Sequence, residues 1–427
     1  MMVFTSLYSI IDGIFIANFT EGTSAFAAVN LVFPIVMIVG CIGFMMGTGG
    51  TALVAKLLGE KETDKANRAF SLVVYSTIGI GAIFSIVGFF LIPTLVNAME
   101  SLSENSTQEM IDDAIIYGRV LMISQIPSML QFAFQTFFMV AEKNRIGFRF
   151  TIAAGVSNMV LDALLIGVAK MGVLGAGIAT SIGYCVGGFG PVIYFFIKKD
   201  GLIHLGKTNF DIKVIGKSAY NGMSEFVSNV SASVVSIIYN AQLLKAFGEN
   251  GVSAYGIIMY VSFVFISIFI GIALGMCPCV GYNYGAKSKE EMRNILNKTL
   301  IVISAVAVFQ ALFAFLMARP LSSIFSNGNQ ELEDLSEYAM KVYSLAFLGA
   351  GFSMFITSFF TALNNGTVSA NLAFTRTIIL QISFAFLFPL IFGSPYSLWW
   401  AITIAEIFAM LVNFLTLFFK RKKYGYW

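Results

Sequence analysis

"MGTGGTALVAKLLGEKETDKANR" occupies residues 46–68, and "IALGMCPCVGYNYGAKSKEEMRN" occupies residues 272–294. Gly49 falls on Gly275, Gly59 on Gly285, Lys61 on Lys287 and Asp64 on Glu290, a displacement of 226 residues. Each stretch leaves an apolar run and enters a charged loop. Further echoes lie on either side: "YSIIDG" at 8–13 against "VSIIYN" at 235–240, and "QTFFMVAEKN" at 135–144 against "TSFFTALNN" at 357–365. A displacement that stays near 225 residues along the chain means two halves of the same topology. Parallel repeats of that kind, related by an axis along the membrane normal, are a transporter architecture with the substrate path between the halves.

The composition puts the repeat in a bilayer. The chain has 427 residues, 57% hydrophobic and 11% charged, and its mean hydropathy is +0.82. Soluble domains carry about 25% charged residues. Apolar runs of about 20 residues, the length a bilayer core requires, recur throughout. Twelve such runs are read, from 1–18 and 25–55 to 370–392 and 396–419, with the seventh and eighth at 213–246 and 252–283. The expected fold is therefore an all-α polytopic membrane protein of about twelve transmembrane helices. A β-barrel would show alternating segments of about 10 residues, and none are present. The expected organisation is an N-lobe at 1–197, an inter-lobe linker at 198–212 and a C-lobe at 213–427.

The loops sort by charge. "KLLGEKETDKANR", "EKNRIGFR", "KKDGLIHLGKTNFDIK", "KSKEEMR" and the tail "KRKK" hold the lysines and arginines, whereas "TEGTS", "ESLSENSTQEMIDD", "GEN" and "NGNQELEDLSE" are acidic or nearly neutral. The positive-inside rule puts both termini in the cytoplasm, as an even number of spans requires. No secretory signal pattern opens the chain, and a multi-pass protein of the cell (inner) membrane is expected. The net charge of +3 is no argument for nucleic acid. Cys41, Cys185, Cys277 and Cys279 lie in apolar runs and suit small core residues, not a zinc or disulfide framework. His204, the single histidine, falls in a loop, so no histidine relay crosses the membrane.

Four carboxylates lie deep within spans: Asp12, Asp162, Glu225 and Glu406. An ionised carboxylate at a helix centre costs about 2.5–3.5 kcal/mol on insertion scales, so each must face the bundle interior, find a partner or carry a proton. No obvious deep lysine or arginine matches them, because Arg119 and Arg376 read as nearer the span ends. An acidic interior of this kind attracts protons, sodium ions or organic cations. In "SNMVLDALLIG" (157–167), Asn158 and Asp162 stand at i and i+4 and share a face. The amide can hold the protonated acid or lend its carbonyl to a cation; the alternative is a structural hydrogen bond to a neighbouring helix. In "NGMSEFVSNVSASVVSIIYN" (221–240), Asn221, Glu225, Ser228, Asn229, Ala232 and Ser236 follow helical spacing and make one polar face. Glu225, Asn221, Asn229 and Glu406 are accordingly candidates for a substrate cavity. Small-residue helix packing is the competing account of the serines. Aromatic and methionine walls suit flat cations, although the same residues commonly face lipid. No Walker A loop, zinc signature or nucleophile elbow is present, so neither an enzyme nor an ATP-driven pump is expected.

Together "SLYSIIDGIFIA" (6–17), "GTGGTALVAKLLGEKETDKAN" (47–67), "SNMVLDALLI" (157–166) and "GYNYGAKS" (281–288) resemble the multidrug and toxic compound extrusion family, MATE, over essentially the whole chain. The resemblance implies two six-helix lobes related by a pseudo-two-fold axis and arranged as a V around a central cavity. It implies antiport of organic, often cationic and aromatic drugs against H⁺ or Na⁺ by alternating access, without a cofactor, in a monomer. Asp12, Asn158 and Asp162 match the family's N-lobe cation-coupling residues, and Asp12, Asn158 and Asp162 would hold Na⁺ if sodium is the coupling ion. Tyr117 in "IIYGRV" and Thr180 in "GIATSIGY" match by position in their spans. Glu225 resembles the span 7 carboxylate that couples cations in some branches. The acidic and tyrosine partners implied in span 10 are not evident in "SLAFLGAGFSMFITSFF" (344–360), which favours N-lobe coupling. The family's first span extends further upstream than the eleven residues before Asp12, which implies a truncated chain or a misassigned start. Two other readings compete: a lipid-linked oligosaccharide flippase, which should show more deep basic residues, and a non-transporting receptor of this fold.

Overall fold

The structure is a computed structural model and describes residues 1–5, 23–100, 108–325 and 329–426. The chain divides into two compact units, Met1–Gly222 and Met223–Trp427. The described residues form helices and no strands. In the first unit these are α1 (Thr23–Gly59), α2 (Thr63–Glu100), α3 (Gln108–Ile123), α4 (Gln125–Val140), α5 (Asn144–Asp162), α6 (Gly172–Ile197) and α7 (Ile212–Asn221). The second unit holds α8 (Met223–Gly285), α9 (Lys289–Leu316), α10 (Ala318–Phe325), α11 (Gln330–Ser344), α12 (Ala346–Ala362), α13 (Gly366–Phe374), α14 (Ser383–Phe392) and α15 (Ser397–Tyr424). Two π-helical segments join these pieces: Ala163–Val168 continues α5, and Thr375–Ile382 links α13 to α14.

Eight helices among the described residues are long and apolar enough to cross a membrane, or nine when α11 and α12, bent by 44°, count as one span. The 63-residue α8 is two arms, broken at Gly248 with φ 63° and ψ −152°, at the polar "GEN" read as a loop. Helices α3 and α4 meet at Ser124 in the same way that α11 and α12 meet at Leu345. With the first span, most of which lies outside the described residues, this fits about twelve helices.

The repeat is written into the backbone of the loops. Lys61 and Lys287 both adopt left-handed conformations, with φ 63° and 57°. After α1, Lys61 N–H donates to Leu58 O (3.0 Å) and Glu62 N–H to Leu57 O (2.9 Å). After α8, Lys287 N–H donates to Tyr284 O (3.2 Å) and Ser288 N–H to Asn283 O (3.0 Å). Glu142 and Asn364, with φ 55° and 57°, close α4 and α12 by the same pair of bonds. These are Schellman caps, which satisfy carbonyls that a helix end would leave orphaned. None of the four uses glycine, so Lys61, Glu142 and Lys287 each carry a left-handed penalty of about 1 kcal/mol or more, whereas Asn364 is of a type that tolerates the conformation.

Small residues set the helix spacing in the first unit. A Cβ at Gly43 would run into the Met129 backbone, and one at Gly47 into Ala133, so α1 lies directly against α4. This i, i+4 pair of glycines is the small-residue contact that lets membrane helices approach closely. Behind it, Phe70, Phe134, Phe137, Phe138 and Phe195 form an aromatic core. The chain after α6 straps back onto α2: His204 N–H donates to Asn67 Oδ1 (2.9 Å), Gly206 N–H to Ser71 Oγ (3.0 Å), and Ile203 and Leu205 are buried. Asp211 then caps α7 by accepting from Lys213 N–H at 2.9 Å. In the second unit the end of α15 docks similarly, with Asn365 Nδ2 donating to Tyr424 Oη at 2.6 Å and Tyr426 fully buried.

Candidate functional site

Each unit assembles its own group of polar residues. In the first unit, α5 carries Asn158 and Asp162 one turn apart, as their spacing requires, and both are buried. Asp162 is fully shielded from solvent and stands at the entry to the Ala163–Val168 π segment. Wide turns of this kind occur frequently at functional sites. Asn158 Nδ2 donates to Thr180 Oγ1 of α6 over a long 3.5 Å. The glycines of α6 admit both neighbours. A Cβ at Gly183 would sit 3.2 Å from Asn158 Cβ, and one at Gly177 would sit 3.4 Å from Tyr117 Cδ2 of α3. Thr180 lies on α6 between Gly177, which faces buried Tyr117 of α3, and Gly183, which faces Asn158. Asp12 lies outside the described residues.

In the second unit, a cavity of about 250 Å³ is bounded by α8, α11, α12, the Thr375–Ile382 π segment and α15. Glu225, Ser228, Asn229, Ala232 and Ser236 line it from α8, so the spacing of that face is realised. Asn221 is not on that wall. The helix breaks at Gly222, where φ is −88° and ψ 1°, and Asn221 belongs to α7 in the first unit, buried there. A stripe read across a helix end does not continue in register. The side chain of Asn229 turns back to donate to Glu225 O at 2.7 Å.

Glu406 lines the same cavity from α15 and is 4% exposed at its side chain. It is held: Arg376 Nε donates to Oε1 (3.0 Å) and Oε2 (2.9 Å), and Gln381 Nε2 donates to Oε1 (2.8 Å). The expectation of no deep basic partner is corrected here. Arg376 lies ten residues into a helical run from Gly366 to Phe392, lines the cavity and is 11% exposed. Two features hid the pair. The partners are thirty residues apart in sequence, and Arg376 and Gln381 stand at i and i+5. An α-helix would turn those two positions about 140° apart. The π segment, with its i→i+5 bonds, brings them onto one face.

The remaining wall is aromatic. Tyr255 stacks on buried Tyr239 with centroids 5.9 Å apart and planes at 16°. Tyr343 and Phe347 face the cavity from α11 and α12 in an edge contact of 5.6 Å. Tyr343 stands immediately before the span 10 stretch in which no tyrosine was evident, at the break between α11 and α12. Glu225 lies within electrostatic reach of Arg376 but makes no ion pair among the described residues. With both carboxylates ionised, two carboxylates and one guanidinium leave the cavity one net negative charge beside an aromatic wall, which suits a flat organic cation.

Comparison with known proteins follows the same division. The MatE family profile matches twice, at residues 1–164 and 226–387, one match in each unit at the displacement of the sequence repeat. "Multidrug export protein MepA" of Staphylococcus saprophyticus is 23% identical over 430 residues, covering 99% of this chain and 92% of that protein. Its namesake in Staphylococcus haemolyticus is 23% identical over 97% of this chain and 90% of its own. Among solved structures, a MATE in complex with MaL6 superposes with a TM-score of 0.92 at 21% identity, covering 100% of this chain and 94% of that one. A MOP superfamily transporter from Pyrococcus furiosus, described as having a binding pocket of reverse polarity, superposes with a TM-score of 0.89 at 21% identity, covering 99% and 94%. These likenesses establish the fold.

Proposed function

The chain belongs to the MatE family, and from that premise we propose that it is a secondary active multidrug efflux transporter. It exports organic, often aromatic cations across the cell membrane in exchange for H⁺ or Na⁺ by alternating access. It acts as a monomer with both termini cytoplasmic, without a cofactor. The observation that carries this reading is the C-unit cavity, where Glu225 makes no ion pair among the described residues and shares the lining with tyrosine rings. The MepA relatives are export proteins by name and match nearly end to end, which supports it. Coupling is assigned to Asp12, Asn158, Asp162, Tyr117 and Thr180 in the N-lobe. A cation bound or lost at Asp162 changes the packing of α5 on α6 and so biases the inward–outward equilibrium.

The flippase reading needs unneutralised basic groups to hold a pyrophosphate. Arg376 is deep, but Glu406 already neutralises it, so the cavity offers a phosphate no net attraction. The deciding experiment is efflux of a fluorescent organic cation from proteoliposomes, under an imposed pH gradient and separately a sodium gradient, at matched membrane potential. Flux driven by either gradient supports antiport and identifies the ion. Binding without flux under both would sink it in favour of a receptor.

A further inference from the structure

We infer that Arg376 sets the charge-number selectivity of the C-unit cavity: by holding Glu406 in an ion pair it leaves Glu225 as the carboxylate open to a ligand, so monocations are accepted over dications of the same shape. The inference rests on the cavity being a cation site, as proposed above. It concerns how many charges the site accepts.

A carboxylate has about four lone-pair positions, and three donor contacts fall on Glu406, two from Arg376 Nε and one from Gln381 Nε2. The pair is desolvated, with side-chain exposures of 11% and 4%. Pulling Glu406 away to meet a ligand would strand the guanidinium in a low-dielectric wall, which is the costly way to break such a pair. Glu225 lines the cavity from α8 and makes no ion pair among the described residues. A monocation placed against Glu225 brings the cavity to neutrality. A second positive charge on the ligand would find no carboxylate free among the described lining residues.

The conformation of the wall serves this role. Were Thr375–Ile382 α-helical, Gln381 would rotate off Glu406 and the carboxylate would keep a vacant acceptor edge. The i→i+5 turn closes that edge. Selectivity is therefore built from a neutralised pair and a carboxylate outside it, lining one space of about 250 Å³.

The test uses two probes of nearly identical outline, 1-methyl-4-phenylpyridinium with one charge and 1,1′-dimethyl-4,4′-bipyridinium with two. Binding of each is measured on the purified full chain by displacement of a fluorescent monocation, with folding checked by thermal melting and size exclusion. The wild type is expected to favour the monocation by at least about tenfold. Arg376→Gln frees Glu406 and narrows or reverses that preference by at least about tenfold. Arg376→Lys keeps the charge and retains the preference. The double variant Arg376→Gln with Glu406→Gln restores the net charge, and its preference returns to that of the wild type. If Arg376 acted merely by repelling the second charge, the double variant would gain the dication, and the pairing account would be overturned. That variant decides the matter if Arg376→Gln alone does not fold. Equal binding of the two probes by the wild type overturns the selectivity while leaving the cation site standing. Binding of the monocation that Glu225→Gln leaves untouched, or no binding of either probe, overturns the cation site and this inference together.

Discussion

The fifth span of each unit carries a π-helical segment, at Ala163–Val168 and at Thr375–Ile382, and the two are equipped differently. In the first unit the π segment begins just after Asp162, one turn beyond Asn158, whose amide donates to Thr180. In the second it contains Arg376 and Gln381 and turns both onto Glu406. The two π turns stand at different depths, after 19 residues of α5 and after 9 of α13, and they serve two ends. A carboxylate outside such an ion pair can exchange a small cation. A carboxylate locked to a guanidinium is a fixed dipole, and its use is to shape what lies next to it. Duplication supplied the scaffold, and the side chains placed on it divided the work.

The sharpest way to break this contrast is through stability. Glu406→Ala should cost about 3 kcal/mol or more, because it leaves Arg376 desolvated and unpaired; thermal melting in detergent measures it. A variant as stable as the wild type would mean that the pair does not hold the wall. Asp162→Asn should behave in the opposite sense. Its stability should change by less than about 1 kcal/mol, while gradient-driven efflux falls by at least about tenfold. Full efflux from folded Asp162→Asn would remove the N-lobe from coupling. The smallest effect tests the duplication itself: Lys61→Val and Lys287→Val place a β-branched residue in a left-handed cap, and each should lose about 1 kcal/mol. A melting difference between the two variants would show that the repeated caps are not equivalent in energy.

Much of the second cavity wall was legible from spacing. Glu225, Ser228, Asn229, Ala232 and Ser236 lie where a helical period puts them, since α8 is continuous through that stretch. Asn221 escaped because periodicity carries no information across a helix break, and Gly222 ends α7. Tyr343 stands one residue before the stretch 344–360, in the last turn of α11, because the helix break falls inside the span. Arg376 had a visible signal, since a guanidinium inside an apolar run always needs a partner. Its depth was misjudged because the apolar run at 370–392 begins inside the helix, which starts at Gly366.

The residues alone determined the membrane, the number of spans, the duplication and the neighbouring pair Asn158 and Asp162. Each of these follows from local quantities: the apolar length a bilayer needs, the recurrence of a motif, and the 3.6-residue turn that aligns i with i+4. Only the tertiary structure decided which carboxylate is neutralised and which stands open. The cost of a buried charge depends on what is packed against it, and Glu406 meets Arg376 through the contact of α15 with a π turn thirty residues upstream. No local pattern encodes that distance, and the character of the cavity depends on it.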